Sequence, residues 1–261
     1  MKVRIPFTAI VPARMDSTRF PGKALADIAG MPMVVHCAMR ARDSGARRVV
    51  VATDHEEIAV AVRAAGVEVV LTRPDHETGT DRLAEAARLL RLPPQEVVVN
   101  VQGDEPLMAP DVIRSVAERL VADAACAMAT ACYPIYDRLH FESTTAVKVV
   151  LNQAGEALYF SRAPIPWPRD VFANPRAPWP VGLPAWHHVG LYAYRVSFLE
   201  DFTGLSRSPL ESFEALEQLR ALWHGYRIAV VTTDRAPAPG VDTPEDLEHV
   251  RALFDRRSVS G

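Results

Sequence analysis

Residues 48–66 read RVVVATDHEEIAVAVRAAG, a valine run that passes into a helical pattern and stops at glycine. The run Arg48 to Thr53 does not alternate apolar with polar residues, so it predicts a strand covered on both faces. Asp54 reads as the N-cap of a helix from Glu56 to Ala65, closed by Gly66. The same grammar recurs on either side. Phe7 to Val11 is a short strand, and Pro32 to Ser44 carries Val34, Val35, Ala38 and Met39 at helical spacing before Gly45. Val67 to Leu71 is a third strand, and Thr80 to Leu92 is a helix with Leu83, Ala86, Ala87 and Leu90 on one face. Glu96 to Val101 (EVVVNV) is a fourth strand, and Pro110 opens a helix where a missing N–H costs nothing. Repetition of this kind gives right-handed crossovers and an open α/β fold, a mostly parallel sheet with helices on both faces. In such folds the ligand crevice lies beyond the carboxyl ends of the strands.

The bulk composition agrees. Of 261 residues, 49% are hydrophobic, enough for a substantial core and too many for a disordered chain. A net charge of −3 argues against a nucleic-acid-coating protein, although one cleft can still be basic. The three cysteines, Cys37, Cys126 and Cys132, lie in apolar stretches without CxxC spacing, which fits a reducing compartment and small core residues. Lys2 and Arg4 precede a short apolar run, but Pro6 and Pro12 break it, and no stretch approaches the roughly 18 apolar residues of a membrane span. A soluble, cytoplasmic protein is expected.

The texture changes after about residue 126. Residues 146–151 and 157–161 flank the turn sequence NQAG and predict a hairpin. Residues 164–186 contain Pro164, Pro166, Pro168, Pro175, Pro178, Pro180 and Pro184, a density that excludes a helix or central strand. Trp167, Trp179 and Trp186 suggest an arm packed on something, a second subunit included. The expectation is one domain over 1–261 with an inserted hairpin and Pro/Trp-rich arm at about 140–195. Regular structure resumes with a strand from His188 to Tyr194, a helix from Pro209 to His224 and a strand from Arg227 to Thr232. A last helix starts at Thr243.

Polar loops follow the strands on the predicted ligand edge. VPARMDSTRFPGK (11–23) threads Arg14, Arg19 and Lys23 through Pro12, Pro21 and Gly22. Arginine forks and a mobile lysine suit a polyphosphate, and Gly22 lets the backbone approach closely. The loop matches neither GxxxxGK[ST] nor GxGxxG, and taken alone it reads equally as a solvated surface. Arg73 and ETGT (77–80) follow the third strand, and Gln102-Gly103-Asp104-Glu105-Pro106 follows the fourth. Asp104 could ligate Mg²⁺ beside a substrate phosphate, or serve as a turn or cap residue. Asp242, in GVDTPED, is a second candidate, left outside the last helix if Thr243 is its N-cap. In the helix from Pro209, residues Phe213, Leu216, Leu219, Leu222 and Trp223 read as the buried stripe, with Glu217 and Gln218 as solvated neighbours. His188 alternates with Gly190 and Tyr192 along a strand, in the pattern of a structural histidine.

VPARMDSTRFPGKAL, VATDHEEIA, TRPDHETGTDRLAE, VVNVQGDEPL, AVKVVL, ALYFSRAPIPW, HHVGLYAYR, SPLESFEALEQLRALW and GVDTPEDLE occur in this order from about residue 7 to 254. Together they resemble the 3-deoxy-manno-octulosonate cytidylyltransferases, or CMP-Kdo synthetases. PAR…PGK is shared with other sugar-acid cytidylyltransferases, whereas QGDEP, YFSRAPIPW and GVDTPEDLE together are specific to the Kdo enzymes. The arm after Trp167 departs freely from the pattern, and His187 stands where an arginine is common.

The resemblance implies a Rossmann-like nucleotidyltransferase, usually a homodimer through a smaller inserted region. It would join CTP to Kdo, releasing pyrophosphate, for lipopolysaccharide assembly. By position it implies that Arg14, Arg19 and Lys23 hold the triphosphate and that Arg73 and Thr78 read the cytosine. Asp104 and Asp242 would bind catalytic Mg²⁺, with Lys23 part of the catalytic set. Gln102, at the nucleotide edge, would face the sugar acid together with Arg162, His188, Tyr192, Glu217 and Gln218. The alternatives are a cytidylyltransferase for 8-amino-Kdo or sialic acid, and a catalytically silent nucleotide-binding protein. The latter is expected to have lost Asp104, Asp242 or Lys23, and all three are present.

Overall fold

Valine-rich runs separated by amphipathic helices fold here as a layered α/β unit. The computed structural model describes residues 5–16, 19–174, 176–234 and 236–259, so Lys2, Arg4 and Pro175 lie outside the described residues. The first half comprises β1 (Thr8–Ala13), a 3-10 turn (Lys23–Leu25), the short pair β2 (Asp27–Ile28) and β3 (Met31–Pro32), α1 (Met33–Asp43), β4 (Arg48–Thr53), α2 (Glu56–Ala64), β5 (Glu68–Leu71), α3 (Gly79–Leu89), β6 (Val97–Asn100) and α4 (Pro110–Ala122). The second half comprises β7 (Met128–Pro134), α5 (Arg138–Glu142), β8 (Lys148–Leu151), β9 (Ala157–Ser161), α6 (Arg169–Phe172), β10 (Trp186–Arg195), α7 (Val196–Gly204), α8 (Pro209–Glu214), α9 (Gln218–Trp223), β11 (Ile228–Thr232) and α10 (Pro244–Val259).

One nine-stranded sheet has the main order β11-β7-β10-β6-β1-β4-β5, with β8 and β9 attached beyond β10. β1 runs parallel to β4 and β6, β4 to β5, and β11 to β7. β10 is antiparallel to both of its main-order neighbours, β6 and β7. Both faces are covered, as the valine runs require. Ala9 and Val11 of β1 face a core built from α1, α2, α4 and α10, through Val34, Ile58, Ile113 and Val250. Ile10 faces the other core, with Leu83 of α3, Phe198 of α7 and Leu219 of α9. Alternation along the strand thus serves two apolar layers.

From β1 the chain steps outward to β4 and β5, then returns to place β6 on the other side of β1. The loops leaving β1 and β6 therefore flank the point where strand order reverses, the expected ligand crevice. They approach so closely that a Cβ on Gly103 would lie 2.5 Å from the main-chain oxygen of Pro12. Only glycine fits there.

Several expectations need correction. Asp54 does not cap α2. His55 takes the N-cap, its ring Nδ1 accepting from the Glu57 N–H at 3.3 Å. Asp54 instead accepts from the buried Arg82 guanidinium at 2.6 Å. β7 and α7 carry no clear sequence signal; MATACYP mixes small and polar residues and has neither the strand period nor a valine run. The helix expected from Pro209 to His224 breaks into α8 and α9, because Ala215 takes a left-handed conformation at φ 52°. The break changes which residues face inward. Leu216 and Leu219 stay buried, while Phe213 is 93% and Trp223 54% exposed, contrary to the expected stripe.

The proline-rich arm does hold one short helix, α6. It seats Phe172 against Phe141 and Trp179 as a small satellite core, so Trp179 finds its partners within the chain. The hairpin at NQAG is present as β8 and β9 and joins the main sheet through β10. No helix among the described residues is long and apolar enough to cross a membrane.

Candidate active site

The carboxyl ends of β1 and β6 open into a cleft of ≈ 290 Å³. Of the residues singled out in the sequence, Arg14, Arg19, Lys23, Thr78, Gln102, Asp104 and Asp242 all line it. Lys23 leaves the 3-10 turn that follows Gly22, itself in a left-handed conformation at φ 71°. The Lys23 ammonium donates to Asp104 Oδ2 at 2.6 Å, to Asp242 Oδ1 at 3.3 Å and to the Val241 carbonyl at 3.1 Å. Arg19 pairs with Asp242 at 3.1 Å. Two carboxylates remote in sequence thus converge on one cation of the basic loop.

Asp242 is free to do this because Thr243 starts α10. The Thr243 hydroxyl accepts from Asp246 N–H at 3.2 Å, while Asp246 accepts from the N–H groups of Asp242 and Thr243 at 3.0 and 2.9 Å. The main chain of Asp242 is fixed and its carboxylate projects into the cleft. Val241 N–H also donates to the Asp104 carbonyl at 2.8 Å, tying the two acidic segments together. Beneath them lies Glu105, its carboxyl pushed up to about 8 by burial and by the charges of Asp104 and Asp242.

The donor set suits a hard divalent cation. Two carboxylates and a carbonyl oxygen already surround a positive group, and Mg²⁺ takes oxygen ligands from one or two carboxylates plus substrate phosphate. The cluster Asp123, Cys126 and Glu156 has different geometry and is committed elsewhere: Asp123 pairs with Arg119, and Glu156 with Arg227 and Asn152.

Arg73 is not brought into the cleft. Its side chain is two-thirds exposed and pairs with Asp75 at 3.0 Å. Thr78 lines the cleft, but its hydroxyl is engaged in the capping box of α3 with Asp81. His76, Glu77 and Arg82 also line the cleft. Arg82 was missed. Its guanidinium, 5% exposed, binds Asp54 after β4 and Thr72 after β5, both at 2.6 Å, locking the ends of two strands. A cation one turn inside an otherwise ordinary helix carries no mark of that task.

The sugar-side candidates form a second group, on the α3/α7/α9 side of the sheet. His188 is buried; its Nε2 lies 2.9 Å from Thr130 Oγ1, and burial with the neighbouring His187 lowers its pKa to about 3, so it is a neutral imidazole. Burial, with Tyr194 and Glu217 nearby, pushes the Tyr192 phenol well up. Burial also raises the Glu217 carboxyl, which accepts from the Thr80 hydroxyl at 2.7 Å. Gln218 is buried beside it. Arg162 donates to the carbonyls of Glu214 and Thr144 at 2.8 and 3.1 Å. Its own carbonyl is held by Lys148, fully buried, whose ammonium donates to the carbonyls of Ser143, Ala146 and Arg162. Lys148 was also missed, since a lone lysine in AVKVVL reads as an outward strand position. The two groups adjoin: Gln102 at the cleft donates to the Gly190 carbonyl at 3.1 Å, and Thr80 follows the cleft residues Thr78 and Gly79.

Comparison with known proteins identifies the family of the whole chain. Residues 8–228 match the family described as cytidylyltransferase. The 3-deoxy-manno-octulosonate cytidylyltransferases of two Neisseria gonorrhoeae strains, NCCP11945 and ATCC 700825 / FA 1090, are each 56% identical over 248 residues, covering 95% of this chain and 98% of the relative. A solved CMP:2-keto-3-deoxy-manno-octonic acid synthetase complexed with CTP aligns with TM-score 0.86 at 40% identity, over 97% of this chain and 99% of that one. A cytidylyltransferase from Leptospira borgpetersenii serovar Hardjo-bovis (strain JB197), at 17% identity and TM-score 0.62 over 96% of this chain and 87% of that one, shares the fold. On a match of this reach and identity, the chain belongs to the cytidylyltransferase family.

Proposed function

We propose that this chain transfers CMP from CTP to the anomeric hydroxyl of 3-deoxy-manno-octulosonate, giving CMP-Kdo and pyrophosphate. The observation that carries the reading is the meeting of Asp104 and Asp242 on Lys23 at the switch-point cleft, with Arg14 and Arg19 on its rim. Identity of 56% to relatives named for this reaction supports the choice of substrates.

The sugar hydroxyl attacks the α-phosphorus in line while pyrophosphate leaves. Protein groups do little covalent work in such a transfer, so positioning and charge neutralisation dominate. Arg14, Arg19 and Lys23 neutralise the triphosphate and the departing pyrophosphate. Asp104 and Asp242 would hold Mg²⁺, which when bound supplies Lewis-acid polarisation of the α-phosphate and acidifies the attacking hydroxyl. Lys23, within reach of both carboxylates, exchanges them for phosphate oxygens as the substrate enters. Gln102, Arg162, His188, Tyr192, Glu217 and Gln218 orient the sugar acid. Arg73 and Thr78 are assigned to the cytosine, and Arg73 reaches it only by releasing Asp75.

The homodimer belongs to the same proposal. Large apolar side chains stand exposed on α5 and the arm, among them Leu139, Trp167 and Val181, and suit burial against a second copy. The free, buried thiols of Cys37, Cys126 and Cys132 suit a reducing, cytoplasmic compartment.

A coupled pyrophosphate assay with CTP, Mg²⁺ and a panel of Kdo, 8-amino-Kdo and sialic acid tests the reading. Turnover is expected with Kdo. Preference for another sugar acid would overturn the substrate, and silence with the whole panel would overturn the activity.

A further inference from the structure

Among the described residues, four buried side-chain atoms have no hydrogen-bond partner: Asn100 Oδ1, Glu105 Oε2, Glu217 Oε1 and Gln218 Nε2. Buried polar atoms in native proteins are nearly always paired, so each orphan calls for an explanation. Glu217 and Gln218 already belong to the proposed sugar side. Asn100 does not figure in that set, nor among the residues lining the nucleotide cleft.

Its position is well defined. Val97 and Val99 of β6 point into the core of α1 and α4, and Val98 into the core of α3 and α7. By alternation Asn100 points the same way as Val98, toward the sugar side. It stands directly opposite Tyr192 on the antiparallel β10, so the two side chains share a face. Tyr192 in turn feels the Glu217 charge. The main chain of Asn100 is already in register with β1 and β10, so the ladder does not need the carboxamide. An apolar residue would finish the run VVV more stably, yet an amide only 4% exposed stands there.

We infer that Asn100 is a further substrate-contacting residue, its carboxamide oxygen accepting a hydrogen bond from a hydroxyl of the sugar acid. The inference rests on the function proposed above and deepens it. An orphaned carbonyl oxygen requires a donor. Ionised phosphates and carboxylates only accept, which excludes the triphosphate as its partner. A polyol supplies donors, and its hydroxyl oxygens can also accept from the orphaned Gln218 amide. The ribose of CTP carries hydroxyls as well, and the kinetic arms of the test separate the two sources.

The test compares Asn100→Val with Asn100→Thr, which have nearly the same shape and differ by one hydroxyl. For Asn100→Val, KM for Kdo is expected to rise roughly tenfold or more. KM for CTP should stay within about twofold and the melting temperature should hold or rise, because an unpaired buried amide has been removed. Asn100→Thr, retaining an acceptor, should recover part of the Kdo affinity. An unchanged KM for Kdo in Asn100→Val overturns the inference. So does a rise in KM for CTP alone, which assigns Asn100 to the ribose or cytosine of the nucleotide, and so does a parallel rise in both constants with a lowered melting temperature, which marks a structural role. Wild-type protein that turns over Kdo while Asn100→Val matches it sinks this inference alone; wild-type protein silent with Kdo sinks the proposed function as well.

Discussion

The Lys23 ammonium meets the Asp104 carboxylate at 2.6 Å although 81 residues separate them. They meet because β1 and β6 are adjacent in the sheet, while β4 and β5, which intervene in sequence, pair outward on the far side of β1. The same ammonium reaches Asp242, so three charges from the start, middle and end of the chain share one spot.

Replacing Asp104 by Asn removes a charge from this centre while preserving its shape. Turnover is expected to fall roughly 100-fold or more, as for loss of a group acting on transition-state charge. CTP affinity should change only severalfold, since Arg14, Arg19 and Lys23 remain. Steady-state pyrophosphate release set against calorimetric CTP titration checks this; a turnover number unchanged at saturating Mg²⁺ would refute the role.

Lys23 holds two like charges together in the absence of substrate. Chelation with EDTA should therefore abolish activity and leave the melting temperature of the wild type nearly unchanged. In Lys23→Met the carboxylates lose that counter-charge, and added Mg²⁺ should raise the melting temperature more than it does in the wild type. Differential scanning fluorimetry with and without Mg²⁺ measures the difference, and equal shifts in the two proteins would contradict it.

His188 provides a pH signature. Burial and His187 lower its folded-state pKa to about 3 from an ordinary 6.5. Well above pH 6.5 neither the folded nor the unfolded protein protonates it, and stability is unaffected. As pH falls from 6.5 toward 3, the unfolded chain takes up a proton that the folded one refuses, so stability drops by at most about 1.4 kcal/mol per pH unit from this residue. His187, lowered to about 4 by burial, His140 and Lys148, acts in the same direction. Urea denaturation between pH 7 and 4 should show this loss, and His188→Gln should lessen it, leaving the part due to His187.

Two backbone positions give opposite outcomes. Gly103→Ala would drive a Cβ to 2.5 Å from the Pro12 oxygen, a main-chain atom that cannot step aside. A destabilisation of roughly 1–3 kcal/mol is expected, together with lost activity as Asp104 shifts. Ala215→Gly relieves a left-handed alanine at φ 52° and should stabilise by up to roughly 1 kcal/mol. Denaturation midpoints report both.

Strong local signals were legible in the sequence and weak ones were not. Valine runs covered on both faces announced β4 and β6, and Pro110 announced α4, because periodicity and a fixed φ act within a few residues. β7 is held by neighbours on both sides, β10 and β11, rather than by its own composition, so MATACYP gave no warning. Nothing in EALEQ marks Ala215 as a left-handed break, yet that break turns Gln218 inward. Asp54 looked like a cap because an aspartate before Glu-Glu usually is one; only a tertiary partner, Arg82, diverted it. The basic loop, QGDEP and GVDTPED were each ambiguous alone, and their convergence depends on strand order, which local pattern does not encode.

The antiparallel β10 has a consequence for how the molecule is made. It is synthesised late, at Trp186–Arg195, yet it stands between β6 and β7. During translation the early half, β5-β4-β1-β6, can pair from strands close in sequence, while β7 must wait for two strands still inside the ribosome, β10 and then β11. Asp104 is therefore in place well before Asp242 emerges. A prematurely terminated chain would display the basic loop and one carboxylate but could never complete the pair.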